Sequence, residues 1–591
     1  MKKITFKHVI LFVLCTSLTS TISLAQEFLK EISLNEQVLS STQIIEGKVI
    51  SRTSFWDANH HNIYTANTVE VYKVFKGQST LETIEVITSG GTVGLDNEEV
   101  TPSLELRDND MGVFLLQDST ILLSSNSQLS RFKSNSSVQG FFKYNLINNS
   151  VSNPFVKHFG ITSEFYNELM TLTNSGFINV NSISVDNLIS QNQAFRGGSV
   201  INNFTPSSIT AGTKSILTIN GAGFGATNGT VGFRDSNDGG TSYFVALDSQ
   251  IISWSNTQIQ IEVPDRAGSG TIQVNGFITS GSSLAVPYAE TNVESDAVSS
   301  GTFVAYQNRH VNDNASGGYT WQMQTDFDAN ASAKASFLRA FDSWICETGI
   351  NWINGAVTTT DVVASDGINI IRFDNGAELP VGVLGRCTTR SSGCFINGGT
   401  SLAWYVSELD IQFNDTTNWN YGPSTPTFTQ YDFESVAVHE LGHGHQLVHV
   451  IDSNAIMHYS ISNGDSNRVL GANDIAGAED VQTRSNSSSV CSQTAMTDFD
   501  CNPLSVSDAI LEENISMYPI PAKSSLFIKN ASNTILKNAI IYDVRGQLIS
   551  KIDLSESASL TEINVSQFAS GVYFINIKSE TASVTKKFII E

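Results

Sequence analysis

His439-Glu440-Leu441-Gly442-His443 sets two histidines four residues apart, with a glutamate beside the first. On a helix, residues four apart differ by about 40° around the axis and lie one turn along it, so both imidazoles face one point. Imidazole nitrogen suits Zn²⁺ at about 2.0–2.1 Å, and three protein ligands leave a fourth position for water. Glu440 projects to the side of His439, placed to take a proton from a zinc-bound water rather than to bind the ion. His449, six residues beyond His443, is the candidate third ligand. On an unbroken helix it would lie about 240° round from His443 and face away. The chain must therefore turn back after His443, and Gly444 is the expected break because glycine accepts left-handed backbone. His445, about 200° from His443, is expected beside the ligands or at the surface rather than on the ion.

The stretch HELGHGHQLVH, His439 to His449, resembles the metzincin signature HExxHxxGxxH at all three histidines and the glutamate. It departs at Gln446, where the family has the glycine that turns the third histidine back to the metal. Either Gln446 takes a positive φ, at about 1–2 kcal/mol, or Gly444 or a longer turn compensates. Asn454-Ala455-Ile456-Met457-His458-Tyr459 looks like the metzincin Met-turn, which implies that Met457 lies beneath the histidines as a soft packing floor. His458 then points away from the metal. Tyr459 holds the position that reaches the metal or the oxyanion in the astacin and serralysin branches, a second candidate catalytic residue beside Glu440.

Phe341-Asp342-Ser343-Trp344, Leu409-Asp410-Ile411-Gln412-Phe413 and Asn473-Asp474-Ile475-Ala476-Gly477 look more like matrixins. The resemblance implies a zinc metalloendopeptidase that hydrolyses peptide bonds of extended protein substrates, bound along an edge strand. Leu402–Val406 is the expected edge. Structural calcium, as in some matrixins, would fall to Asp410 and Asp452. No cysteine occurs between Gln26 and Ile345, so latency through an N-terminal cysteine on the zinc is excluded. The N-terminal β region is left to cover the cleft by some other contact.

Around this site the expected fold class is multidomain: β-rich N-terminal and IPT/TIG-like sandwich domains, an α+β metzincin catalytic domain and a C-terminal β-sandwich sorting domain. Residues 1–25 read as a secretory signal peptide: Met1-Lys2-Lys3, an apolar run through Val9-Ile10-Leu11-Phe12-Val13-Leu14, and an exit at Ser23-Leu24-Ala25. Residues 26–150 form a small β barrel or sandwich, seen in Ile44–Ile50, Thr68–Val74 and Glu85–Ile87, and 151–198 an Asn/Ser-rich connector. His60-His61, among Asp57, Asn59 and Asn62, reads as an exposed turn. Residues 199–288, with Val200–Pro206 and Leu217–Gly225, resemble the IPT/TIG module. Its glycine string is followed by strand-like Thr230–Phe233 rather than a helix, so it makes turns and not a nucleotide loop.

Residues 296–487 carry the zinc motif. They contain a helix from Ala331 to Cys346, strands at Thr320–Gln324, Gly367–Phe373 and Leu409–Phe413, the zinc helix Phe433–Gln446 and a last helix Ala472–Val481. Five of the seven tryptophans fall here, which points to a substantial core. A linker, 488–514, leads to 515–591. There Met517–Ala522, Ile540–Gln547, Ser570–Ile575 and Lys586–Ile590 closely resemble the C-terminal sorting domain of type IX secretion cargo found in Bacteroidetes. This implies the type IX secretion machinery as a partner and release outside the cell or attachment to its outer surface.

The 591 residues exceed one core, and net charge −24 repels phosphate backbones, against nucleic-acid binding. No stretch beyond the signal is long and apolar enough to span a bilayer. Once Cys15 leaves with the signal, Cys387/Cys394 and Cys491/Cys501 would close short loops, with Cys346 a buried free thiol. The connectivity stays open, since Cys346 can also displace either member of the first pair. Two rival functions stand beside the peptidase: a surface-attached binding or adhesion protein with a vestigial zinc site, and a zinc hydrolase acting on a non-peptide amide or ester.

Overall fold

The computed structural model describes residues 29–121, 129–194, 198–376, 378–500, 511, 514–531, 534–545, 547–555, 559–579 and 583–591. The expected signal peptide at 1–25, Cys15 and Cys501 lie outside these residues. The chain forms two compact units, Met1–Phe499 and Asp500–Glu591.

The first unit opens with a barrel. Strands Gln43–Trp56, Ile63–Lys76, Thr83–Ser89, Arg131–Ser134 and Met111–Asp118 pair in that order, and the last pairs back with the first. β-Branched and aromatic residues such as Val69, Val71, Ile84 and Phe114 fill its interior. The stretch expected to be a connector is folded onto this module. Strands Ser150–Ser152, Lys157–Phe159 and Ile178–Asn179 extend the sheet, and Phe165, Tyr166 and Leu169 pack a helix against it. Asn and Ser at its exposed positions hide this in composition. One hairpin leaves the barrel: β1 (Gly91–Val93) and β2 (Asp96–Thr101) join a sheet further along the chain. His60 and His61 lie in an exposed turn organised by Asp57, as expected.

Two four-stranded sheets built from Val200–Thr205 through Ile278–Thr279 follow, closed over Leu217, Ile219, Phe233, Ile259 and Ile272. The glycine string makes turns, with Gly223 and Gly225 at positive φ.

Next comes a mixed sheet with helices. β3 (Tyr319–Met323), β4 (Trp352–Asn354) and β5 (Asn369–Phe373) are parallel, β6 (Gly385–Ile396) is antiparallel, and β7 (Ser401–Phe413) runs parallel to β5. The order is β4-β3-β5-β7-β6-β2-β1, so the barrel's hairpin completes the sheet. The longer helices that accompany it are α1 (Ala331–Thr348), α2 (Phe433–Gly444) and α3 (Ala472–Ser487), with a short one at Thr325–Ala329 before them. α1 starts where the Asn330 side chain accepts from Ala333 N and stops at Gly349, which takes φ 74°. Its face Phe337, Ala340, Phe341 and Trp344 is buried. The Trp344 indole donates to Val438 O at 2.7 Å, fixing α2 by its backbone.

Leu402–Val406 is not the free edge. These residues lie inside β7, paired to β6, and Val406 N donates to Arg309 O. The outer strand of the domain is β6, because its antiparallel return carries it past β7.

Cys394 is bonded to Cys491, 97 residues apart. Because this bond takes one cysteine from each expected pair, neither of the two short loops closes: Cys387 is a free buried thiol, and Cys346 is disulfide-bonded rather than free. The second unit, taken by itself, is a sandwich of a three-stranded and a four-stranded sheet over Leu526, Ile541, Val565, Ile575 and Phe588.

Candidate metal centre

α2 begins at Asp432, whose carboxylate accepts from Ser435 N at 3.1 Å and is clamped by Arg468. Every residue of α2 is buried, which suits a helix between a sheet and a second helix. His439 and His443 stack along one face, with Nε2 atoms 3.0 Å apart. The helix ends at Gly444, but Gly444 stays helical and does not make the turn. Gln446 does, with φ 70°. Its N–H donates to His443 O at 2.9 Å, its carbonyl accepts from Thr291 N at 2.9 Å, and its Oε1 accepts from Asn308 Nδ2 at 3.0 Å. These bonds offset the strain of a left-handed non-glycine residue. The turn returns His449, so ligand atoms of His439, His443 and His449 lie within 4.8 Å of one another, the only such group among the described residues.

Each histidine uses Nδ1 for a structural bond. His439 Nδ1 meets Ile456 O at 2.8 Å, His443 Nδ1 meets Leu447 O at 2.8 Å, and His449 Nδ1 meets Asn237 Oδ1 at 2.9 Å. A carbonyl acceptor requires Nδ1 to carry the proton, which makes Nε2 the metal-binding nitrogen of each ring. Burial pushes all three imidazoles below their usual range, His443 to about 4, favouring the neutral form that binds metal. The donor set fits zinc.

Glu440 is fully buried, and its carboxylate has no side-chain hydrogen-bond partner. Burial pushes its carboxyl well above the usual range, opposed by nearby Arg386 and by the backbone N–H of Cys387. A Cβ on Gly385 would come within 2.7 Å of Oε1, so glycine at the start of β6 makes room for the carboxylate. Met457 lies under the helix, its sulfur 2.2 Å from where a Cβ on Gly442 would be; only glycine at 442 admits this floor. Tyr459 lines one cavity with His439 and His449, and its hydroxyl rests against Gly239.

Other expected residues are placed elsewhere. His445 is neither beside the ligands nor at the surface: it is fully buried among Trp344, Trp352 and His310. A helix buried all round has no surface side for it. His458 bonds Ser460. Asp410 is paired with Arg390 and Asp452 accepts from Asn454 in a turn, and neither belongs to a group of three candidate ligands, so calcium is not supported.

Sequence reasoning missed Asn237, which reaches the site from the module centred on residues 199–288. It also missed residues 96–105, which lie across the site. Neither carries a local signal, because both act through long-range contacts.

Gln446 yields a stability test. Gln446→Gly relieves about 1 kcal/mol of strain and loses about as much in hydrogen bonding, so its stability should stay within about 1 kcal/mol of the parent. Gln446→Val puts a β-branched residue at positive φ and should cost about 2–3 kcal/mol. Urea unfolding of both variants checks the contrast.

The segments built around this site match known families. Residues 397–482 match the matrixin family model, residues 199–289 the IPT/TIG domain and residues 516–591 the secretion system C-terminal sorting domain. The chain thus carries a matrixin-like segment with an IPT/TIG module before it and a sorting domain after it, and the sorting domain marks it for type IX secretion to the cell surface or outside. Metalloendoproteinase 5-MMP of Arabidopsis thaliana is 30% identical over 151 residues, covering 25% of this chain and 38% of that relative. The matrixin match and this relative support a metalloprotease. No helix among the described residues is long and apolar enough to cross a membrane.

Proposed function

We propose that this protein is a secreted zinc metalloendopeptidase of matrixin-like, metzincin type, exported by the type IX secretion machinery that engages residues 515–591. The observation that carries the reading is the convergence of ligand atoms of His439, His443 and His449, each ring oriented through its Nδ1, on the helix that also carries the buried Glu440 carboxylate. His439, His443 and His449 would hold zinc, which when bound supplies a Lewis acid that polarises the scissile carbonyl and acidifies water. Glu440 takes the proton of the attacking water and passes it to the leaving amine. Tyr459 donates its phenol hydrogen to the developing oxyanion. Met457 supports the histidines from below. The substrate is a protein segment in extended conformation, aligned along β6 by main-chain hydrogen bonds.

Residues 96–105 cover that approach, so the test uses the chain with Glu99→Pro and Val100→Pro beside the unaltered one. Casein cleavage by the substituted chain, lost on chelation and restored by zinc, is the expected result. Stoichiometric zinc without cleavage in either chain would contradict it and favour a binding protein with a vestigial site.

A further inference from the structure

We infer that Asn237, on the IPT/TIG module, is a positioning residue of the metal site, so that this module is part of the catalytic unit and not a spacer. Asn237 follows strand Val231–Asp235, and its N–H donates to Asp235 Oδ1 at 3.1 Å. Asp235 is in turn held by Arg266 at 2.6 Å. The side chain thus has a fixed base, and its Oδ1 meets His449 Nδ1 at 2.9 Å. The other two histidines are oriented by carbonyls next to the site in sequence, Leu447 and Ile456. The third is oriented from 212 residues away.

The loop that carries His449 is built into the same module. Val448 packs in the module's own core, and its N–H donates to Ala289 O at 3.0 Å. Thr291 N donates to Gln446 O, and Ile451 lies where a Cβ on Gly268 would be, 2.4 Å away. Arg484 of α3 pairs with buried Glu290 at 2.6 Å. The turn at Gln446 and the imidazole at 449 are therefore held by residues 235–291 rather than by α2 alone. Partners that orient a metal-binding histidine typically change metal affinity 10–100-fold when removed.

This inference rests on the zinc peptidase reading. The test measures zinc affinity by competition with a chromophoric chelator in the full chain and in Asn237→Ala and Asn237→Asp, together with the visible spectrum of each cobalt-substituted protein. Asn237→Ala should bind zinc about 10–100-fold more weakly with a changed cobalt spectrum, and Asn237→Asp, which keeps the acceptor, should recover most of the affinity. Unchanged affinity and spectrum in Asn237→Ala would overturn the inference, as would equal losses in the two variants. Absence of zinc from the unaltered chain would instead remove the peptidase reading itself.

A separate observation concerns access. We propose that residues 96–105 keep the chain latent by occupying the place of the substrate. β2 lies antiparallel on β6 in continuous register from Thr101 opposite Cys387 to Asp96 opposite Ser392. An extended peptide can add to a sheet only at an unpaired edge, and β2 already uses the edge nearest the histidines. Beyond Thr101 the chain crosses the front of the site. Val100, Pro102 and Ser103 line the cavity that His439 and His449 open into, and Arg386 donates to Pro102 O at 3.3 Å.

The cover is tied down on both sides. Arg107 makes a two-pronged ion pair with Glu294, and Arg266 reaches Glu105 at 2.9 Å. With the cover in place His439, His443 and His449 are 1%, 5% and 6% exposed and Glu440 0%, too little for any protein substrate to touch. Since strand and edge belong to one chain, a free peptide competes against a high effective concentration.

The test compares casein cleavage and hydrogen exchange in the unaltered chain and in Glu99→Pro/Val100→Pro, at matched zinc content. Two successive prolines remove a ladder donor whichever way it faces. The altered chain should cleave at least about tenfold faster, with faster exchange of amides 387–392. Arg107→Ala should shift both readouts the same way to a smaller extent. Equal cleavage by the two chains would overturn latency and leave the peptidase standing. An altered chain that keeps zinc, exchanges fast at 387–392 and still fails to cleave would overturn both.

Discussion

Replacing Glu440 by alanine in the chain opened by Glu99→Pro/Val100→Pro is expected to lower kcat/KM for casein peptides by about 10²–10⁴-fold while zinc stays near one per chain. The separation of the two effects follows from position. Three histidines converge without Glu440, and the carboxylate, next to His439 on the helix, has no side-chain hydrogen-bond partner that would tie it to a structural role. A group whose only task is proton transfer should lose kcat with little change in KM. Glu440→Gln keeps the shape and should be as inactive. Zinc lost along with activity would mean that Glu440 helps hold the ion, and full activity would remove it from the mechanism.

The largest stability effect is expected at Arg390→Met. Arg390 is 3% exposed and faces three acids: Glu408 at 2.9 Å, Asp410 at 2.5 Å and Glu98 at 3.3 Å. Removing it leaves buried carboxylates facing one another, which should cost about 3–5 kcal/mol. Even beside Arg390, burial pushes the carboxyls of Glu98, to about 7, and of Glu408 and Asp410 above the usual range. The native chain therefore keeps protons that the unfolded chain releases above about pH 4. Its stability from this cluster is full below about pH 4 and falls as pH rises through the values of about 6 to 8 to which these carboxyls are pushed. Without the arginine these carboxyls hold their protons more tightly still, so the deficit should be greatest near pH 8 and smaller at pH 5. Urea unfolding at the two values, followed by tryptophan emission, checks this; a deficit below about 1 kcal/mol at pH 8, or a larger one at pH 5, would contradict it. Glu98 belongs to β2, so the same substitution should also loosen the cover.

What was legible in the chain follows the range of the interactions. His439 and His443 could be read because helical spacing alone makes them neighbours, and Met457 only because Asn454–Tyr459 resembles the metzincin Met-turn. Even Gln446 could be weighed locally, although its positive φ rests on Asn308 and Thr291, far back in sequence. The misread residues are those whose surroundings are distant. His445 was assigned from the helix alone, yet its ring is packed by Trp352 and His310. Cys394 pairs across 97 residues, not with its near neighbour Cys387. Alternation marks Asp96–Thr101 poorly as a strand, and nothing in it names β6 as its partner. Asn237 is an unremarked turn asparagine until the fold brings His449 to it.

The most direct measurement is mass spectrometry of casein digested in ¹⁸O-enriched water by the zinc-loaded Glu99→Pro/Val100→Pro chain, with the same chain carrying Glu440→Ala as control. Metal-assisted peptide hydrolysis predicts new termini at internal bonds, each new carboxyl carrying one ¹⁸O, absent from the Glu440→Ala digest and from a chelated one. A zinc-loaded, opened chain that yields no new termini, or yields them equally with alanine at 440, would contradict it.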